Sequence, residues 1–239
     1  MNYFSTIITC MVILSSMAVA QESRSSSGGK KYKGKTFRIV CWSDWTKDEI
    51  FIRNPKKGSK GMIPLDVRNM RYSKPYPYSA GKPLMFYKKT EDAEKPYALL
   101  LKVTIPQTVK KPLVMLVLNK EELKHSIYDL DDRKFSYGSY KVVNFTSVNL
   151  IGDFGGQKFL LKPQKNCYIQ PNHGLEKKAI PCRVGVKQGS KTKLVYSKMI
   201  MNRSYKRMLM FFYPSKDEVG RTVIRSRSIV DFYKKPTSG

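Results

Sequence analysis

From Phe37 to Phe232 the chain is a succession of short runs rich in aromatic and β-branched residues, each cut off by glycine, proline or a polar cluster. No long stretch repeats its apolar positions at the helical period, so packing has to come from strands. The runs are FRIVCWS (37–43), EIFIR (49–53), PLMFYKK (83–89), YALLLKVTI (97–105) and LVMLVLN (113–119), then SYKVVNFT (139–146), VNLIGDFG (148–155), QKFLLKP (157–163) and CYIQP (167–171). AIPCRVGVK (179–187), KLVYSKMIM (193–201), RMLMFFYP (207–214) and TVIRSRSIVDF (222–232) close the series. Gly155-Gly156, the Gln-Gly-Ser at 188–190 and the Glu-Val-Gly at 218–220 supply turn chemistry between them. This pattern predicts an all-β fold, an antiparallel β-sandwich in two β-rich halves, with one large sandwich as the alternative.

Two local features refine that expectation. The proline-bounded PQTVKKP (106–112) reads as the turn of a long hairpin between 97–105 and 113–119. Asn119–Asp132 carries Glu121 and Glu122 ahead of Leu123 and Ile127 and reads as a short helical connector, which places the seam between the halves near residue 125. The final run does not alternate cleanly around Arg225 and Arg227, which suggests a strand end or bulge there.

Residues 1–20 contain no charged side chain and lead through an apolar run into Ala18-Val19-Ala20, then into QESRSSSGG. That order is the pattern of a cleaved export signal, with an uncleaved membrane anchor as the alternative. Residues 21–35 then read as a flexible linker, 36–124 as an N-terminal β domain, 125–232 as a C-terminal β-sandwich domain and 233–239 as a frayed tail. The expected location is periplasmic or extracellular, with no membrane span once the signal is removed.

Lys and Arg number 45 against 18 acidic residues, for a formal charge of +27. Such a chain is drawn to polyanions such as lipopolysaccharide, acidic polysaccharide or nucleic acid. The charge is spread along the sequence rather than gathered in one arm, so no specific nucleic-acid site is expected, and anionic envelope or matrix polymers are the candidate partners. The candidate polyanion face comprises Arg203, Lys206, Arg207, Arg221, Arg225 and Arg227. A second candidate is the loop RYSKPYPYSAGKP, where Arg71, Tyr72, Lys74, Tyr76 and Tyr78 interleave rings and cations. A proline-stiffened loop with its tyrosines packed on the nearest sheet is the competing reading.

Catalytic signatures are sparse. His125 and His173 are the only histidines, no zinc or phosphate-loop spacing occurs, and no metal or cofactor is expected. Cys167 and Cys182 bracket a turn-like stretch and are read as a disulfide pair, with Cys41 in place of either partner, or three buried thiols, as the alternatives. A cysteine-dependent enzyme centred on Cys41 is the weakest alternative, because strand alternation sends Cys41 and Trp42 to opposite faces. The chain therefore reads as an exported, non-enzymatic β-sandwich protein with a binding or envelope-assembly role. KFSYGSYKVVNFTSVNLIGDFGGQKFLLKPQKN (134–166), with its G-x-Y-x-x-x-N strand and K-x-x-L-K-P return, resembles modules of exported β-sandwich proteins of bacterial envelopes. The resemblance implies a secreted or periplasmic sandwich and carries no catalytic residues.

Overall fold

The computed structural model describes residues 34–42, 49–56, 61–119, 122–171, 178–188 and 191–233. The expected signal at 1–20, most of the linker at 21–35, and the tail beyond Tyr233 lie outside the described residues, as does His173.

The chain is all-β. Its first eight strands are β1 (Thr36–Cys41), β2 (Ile50–Arg53), β3 (Met62–Leu65), β4 (Tyr76–Pro77), β5 (Leu84–Lys89), β6 (Tyr97–Val103), β7 (Pro112–Asn119) and β8 (Glu122–Asp129). The second eight are β9 (Tyr140–Asn144), β10 (Leu150–Phe154), β11 (Gln157–Leu161), β12 (Asn166–Ile169), β13 (Ala179–Gln188), β14 (Lys191–Met201), β15 (Lys206–Lys216) and β16 (Thr222–Phe232). They form four sheets in two pairs. β4-β1-β7-β8 faces β3-β2-β5-β6, and β12-β9-β15-β16 faces β11-β10-β13-β14. Within each pair the inward positions make one core. Phe37, Ile39, Ile52, Phe86 and Leu116 lie in the first, and Tyr140, Val142, Phe154, Val184 and Phe212 in the second.

Adding eight to each strand number of the first sandwich reproduces the second, sheet for sheet. Among the described strands the parallel pairing of each follows the same rule, β1 with β7 and β9 with β15. So does a β-bulge: the register slips between Phe86 and Tyr87 opposite β6, and between Val184 and Gly185 opposite β14. The extra residues, Leu100 and Val195, each tuck against their own core. Bulges are specific local features, so their recurrence at one register position marks the halves as two copies of one architecture.

The copies meet through equivalent faces. Register through the parallel pairings matches Val40, Leu113, Met115 and Tyr128 to Val143, Leu209, Phe211 and Ile229. All eight belong to a third buried cluster, distinct from the two sandwich cores. Trp42 and Phe145 are also equivalent: each follows the end of its strand and donates its backbone N–H at 2.8 Å, to Leu116 O and Phe212 O respectively. Their rings touch edge to face with centroids 6.0 Å apart, and Trp42 contacts Phe211 at 5.2 Å. β1 reaches β16 through Arg38 and Asp231, and β9 reaches β8 through Lys141 and Tyr128. This reciprocity is what a self-complementary two-fold interface produces.

A buried arginine locks the junction. Arg207 on β15 is 4 % exposed, and its Nε and Nη2 donate to Asp231 Oδ2 at 3.0 and 2.8 Å. Nη1 donates to Asp132 Oδ1 at 3.0 Å, Leu130 O at 3.0 Å and Phe135 O at 2.7 Å, which fastens the segment joining the two sandwiches. The guanidinium lies 5.0 Å from the Phe135 ring centroid and 4.5 Å from that of Tyr137. Asp231 takes a further bond from Arg38 Nη1 at 3.2 Å and one from Tyr137 Oη at 3.2 Å.

Several expectations are corrected. Asn119–Asp132 is not a helical connector: Glu122–Asp129 is strand β8, with Leu123 and Ile127 packed toward the first core and Tyr128 toward the junction. A seam at 124/125 would cut that strand, and the crossover between sandwiches is the segment after Asp129. The 97–105 and 113–119 runs do not pair, because β6 and β7 lie in different sheets. β16 pairs with β15 in unbroken register, so the expected bulge is absent from it. The glycine turn holds: Gly155 and Gly156, at φ 60° and 88°, close the β10–β11 hairpin.

Asp231→Ala leaves a buried guanidinium without its main counter-charge and is expected to cost about 3–5 kcal/mol. Denaturant unfolding of the full chain measures this, and pairing the change with Arg207→Met should recover most of the loss.

Candidate functional site

The six cations expected to form a polyanion face do not converge. Arg207 is consumed by the buried network just described. Arg227 donates to the Trp42 carbonyl and lies over the Trp42 ring, so it seals the junction. Arg221 pairs with Asp217 at 2.9 Å inside the β15–β16 turn. Lys206 Nζ donates to Met201 O at 2.6 Å, and Arg203 Nη1 donates to Tyr205 Oη at 2.6 Å. Arg225 is exposed on β16. Strand alternation is the reason: Arg207 and Lys206 are neighbours in sequence and point to opposite faces of β15.

The tyrosine loop is also packed. Tyr76 and Tyr78 are buried with Phe37, at 6.0 and 6.1 Å between centroids. Tyr72 lies in the junction beneath Arg38, and burial raises its hydroxyl above the ordinary range. Lys74 covers the Tyr76 ring at 5.6 Å, while Arg71 remains exposed. No ring of this loop stands free to stack on a ligand.

Cys167 and Cys182 form no disulfide. They sit on β12 and β13, strands of opposite sheets, and both point into the second core from facing layers. Burial pushes the Cys167 thiol up to about 11 and the Cys182 thiol up to about 12. Cys41 is fully buried in the first core, while Trp42 joins the junction on the other side. His125 is exposed on β8 opposite Leu116. Among the described residues no cluster of His, Cys, Asp or Glu could hold a metal ion.

One titratable group went unnoticed in the sequence. Lys141 is equivalent to Arg38 and lies in the junction at 4 % exposure. Its Nζ donates to Tyr168 Oη at 2.9 Å and sits 4.7 Å from that ring and 5.4 Å from the Tyr128 ring. Desolvation brings its pKa down to about 8; Lys134 adds to the fall and Asp129 opposes it.

An apolar depression of about 540 Å³ lies on the outer face of β11-β10-β13-β14. Residues directly opposite one another share a face, so Leu160, Ile151, Gly185 and Leu194 make a row across the four strands. Leu160 and Leu194 are 62 % and 56 % exposed. The next row runs Lys158, Asp153, Arg183, Ser197, and beyond it Met199 is 64 % exposed opposite Pro181. A smaller and more enclosed hollow of about 310 Å³ on the first sandwich lies between Arg53, Tyr78, Lys82 and Met85. Compared with known proteins, the sequence matches no family model and no curated protein.

Two outcomes follow. In the folded chain, Cys41 and Cys182 should be alkylated only at the rate of unfolding, and either thiol modified within seconds at neutral pH would contradict its burial. The second concerns pH. Above pH 8 the folded state releases the Lys141 proton, while the unfolded chain keeps it to about 10.5, so this group makes stability rise with pH across that window. Buried tyrosines and thiols act oppositely at higher pH, so the reading is a difference. Between pH 7.5 and 9.5 the wild type should gain about 1–2 kcal/mol relative to Lys141→Met.

Proposed function

We propose that this chain is an exported, non-enzymatic β-sandwich protein that works by binding or assembling at the cell envelope. The observation that carries the reading is the exposed apolar row on the outer sheet of the second sandwich. Large apolar side chains left open in one patch of a strongly charged surface mark interaction sites more often than they mark stability. The export-like leader and the resemblance of residues 134–166 to envelope sandwich modules support the location.

The +27 charge supports a second reading, general attraction to anionic envelope polymers. It draws on surface lysines at large rather than on the six-residue set, of which Arg207 is buried. Retention on a heparin column that falls steeply with salt, and is unchanged by Arg203→Ser, would fit this diffuse attraction.

Fractionation of producing cells with N-terminal sequencing tests the main proposal. A mature chain beginning at Gln21 in an exported or envelope fraction, yielding a discrete cross-linked adduct, is the expected result. A cytoplasmic chain retaining Met1, or turnover of a substrate abolished by one substitution, would contradict it.

A further inference from the structure

We propose that the depression at Gly185 receives an aromatic side chain from an acidic segment of a partner protein. This rests on the binding reading above and names the partner's chemistry.

The internal repeat carries the argument. With the two bulges superposed in register, Phe51, Pro64, Tyr87 and Leu99 of the first outer sheet correspond to Ile151, Leu160, Gly185 and Leu194 of the second. Tyr97, opposite Lys89, corresponds in the same way to Thr192, opposite Lys187. The first sandwich covers the middle of its own outer row, while Leu99 at its end stays 53 % exposed. Phe51 is only 8 % exposed, with the Tyr97 ring against it at 5.1 Å, and the Tyr87 ring lies under the Arg53 guanidinium at 5.4 Å.

The second sandwich keeps the aliphatic floor and lacks all three rings. Where Tyr87 stands in one copy, the other has glycine, and even a Cβ there would meet Thr192 Cγ2 at 2.5 Å. The Thr192 methyl lies over this glycine instead of a ring. Leu160 and Leu194 stay uncovered on either side of it. An incoming ring resting on the Thr192 methyl between Ile151 and Leu194 would cover Ile151 as Tyr97 covers Phe51 in the first sandwich. Arg183 in the adjoining row stands where a cation could cover that ring, as Arg53 does for Tyr87.

Charge decides what bears the ring. Lys158, Arg183 and Lys187 are exposed on this face, and none of them has an ion-pair partner among the described residues. The one carboxylate in the row, Asp153, already accepts the Gly156 N–H at 2.8 Å. An acidic segment is complementary to that rim. A second copy of this chain, at +27, is repelled by it.

The test uses the full chain and a fluorescent peptide with one tryptophan between runs of glutamate, followed by anisotropy at moderate salt. Saturable binding is expected, weakened about tenfold or more by Leu194→Glu, by Arg183→Glu and by replacing the peptide tryptophan with alanine. Leu99→Glu, the corresponding change on the first sandwich, should leave it unchanged. Leu194 is exposed, so its variant should keep the wild-type melting temperature; Leu160→Glu serves as an independent second variant. No saturable binding, binding indifferent to Leu194→Glu and Leu160→Glu, or equal binding of a ring-free polyglutamate or of heparin would overturn the proposal. Survival of the envelope cross-link in the Leu194→Glu chain would then show that the broader binding reading stands while this site does not.

Discussion

The arrangement depends on burying two strands on both faces. β7 sends Val114 and Leu116 into the first core and Leu113 and Met115 into the junction; β15 sends Met208, Met210 and Phe212 into the second core and Leu209 and Phe211 into the junction. A strand covered on both sides cannot alternate apolar with polar residues, and neither does. If the two sandwiches came apart, Leu113, Met115, Leu209 and Phe211 would meet water together. At roughly 1.5–3 kcal/mol for each fully buried large apolar side chain, that exposure outweighs any single polar contact across the junction. The sandwiches are therefore bound to one another by the same force that folds each of them.

Apolar burial gives adhesion, and the charged groups give register. Arg207 satisfies Asp231, Asp132 and two carbonyls of the crossover at once, while Arg38 shares Asp231 from the other sandwich. Burying charges is costly, and such a set fits only one alignment of the faces. Its two-fold counterpart is different: Lys141 stands where Arg38 does and finds rings and a tyrosine hydroxyl instead of a carboxylate. The same architecture thus holds an ionic lock at one end of the junction and a lysine of depressed pKa at the other. A parallel asymmetry separates the outer sheets: Phe51, Tyr87 and Tyr97 cover the middle of one, where the other has Ile151, Gly185 and Thr192.

Most strands were legible because period-two patterns and glycine or proline stops are local signals. β8 was not, because Leu123 and Ile127, four apart behind two glutamates, imitate a helix face while also fitting a half-buried strand. The non-alternating LVMLVL and RMLMFFY runs are what burial on two sides requires, and a single sandwich can supply that only through a neighbour. The repeat was hidden because equivalent positions keep their place and not their residue, as Cys41 and Asn144 or Tyr87 and Gly185 illustrate. Arg207 read as a surface cation because its partners lie 24 and 75 residues away. The Cys167–Cys182 pairing failed for a related reason: closeness in sequence says nothing about which sheet a strand joins.

Native-state hydrogen exchange, followed amide by amide with increasing denaturant, tests the two-sided burial most directly. If the junction makes one cooperative unit, the slowest amides of β7 and β15 share one opening free energy and one denaturant slope, and Met115→Asp lowers both together. If either sandwich opens by its own smaller event while the other keeps full protection, the junction is a contact between independent domains and the account fails.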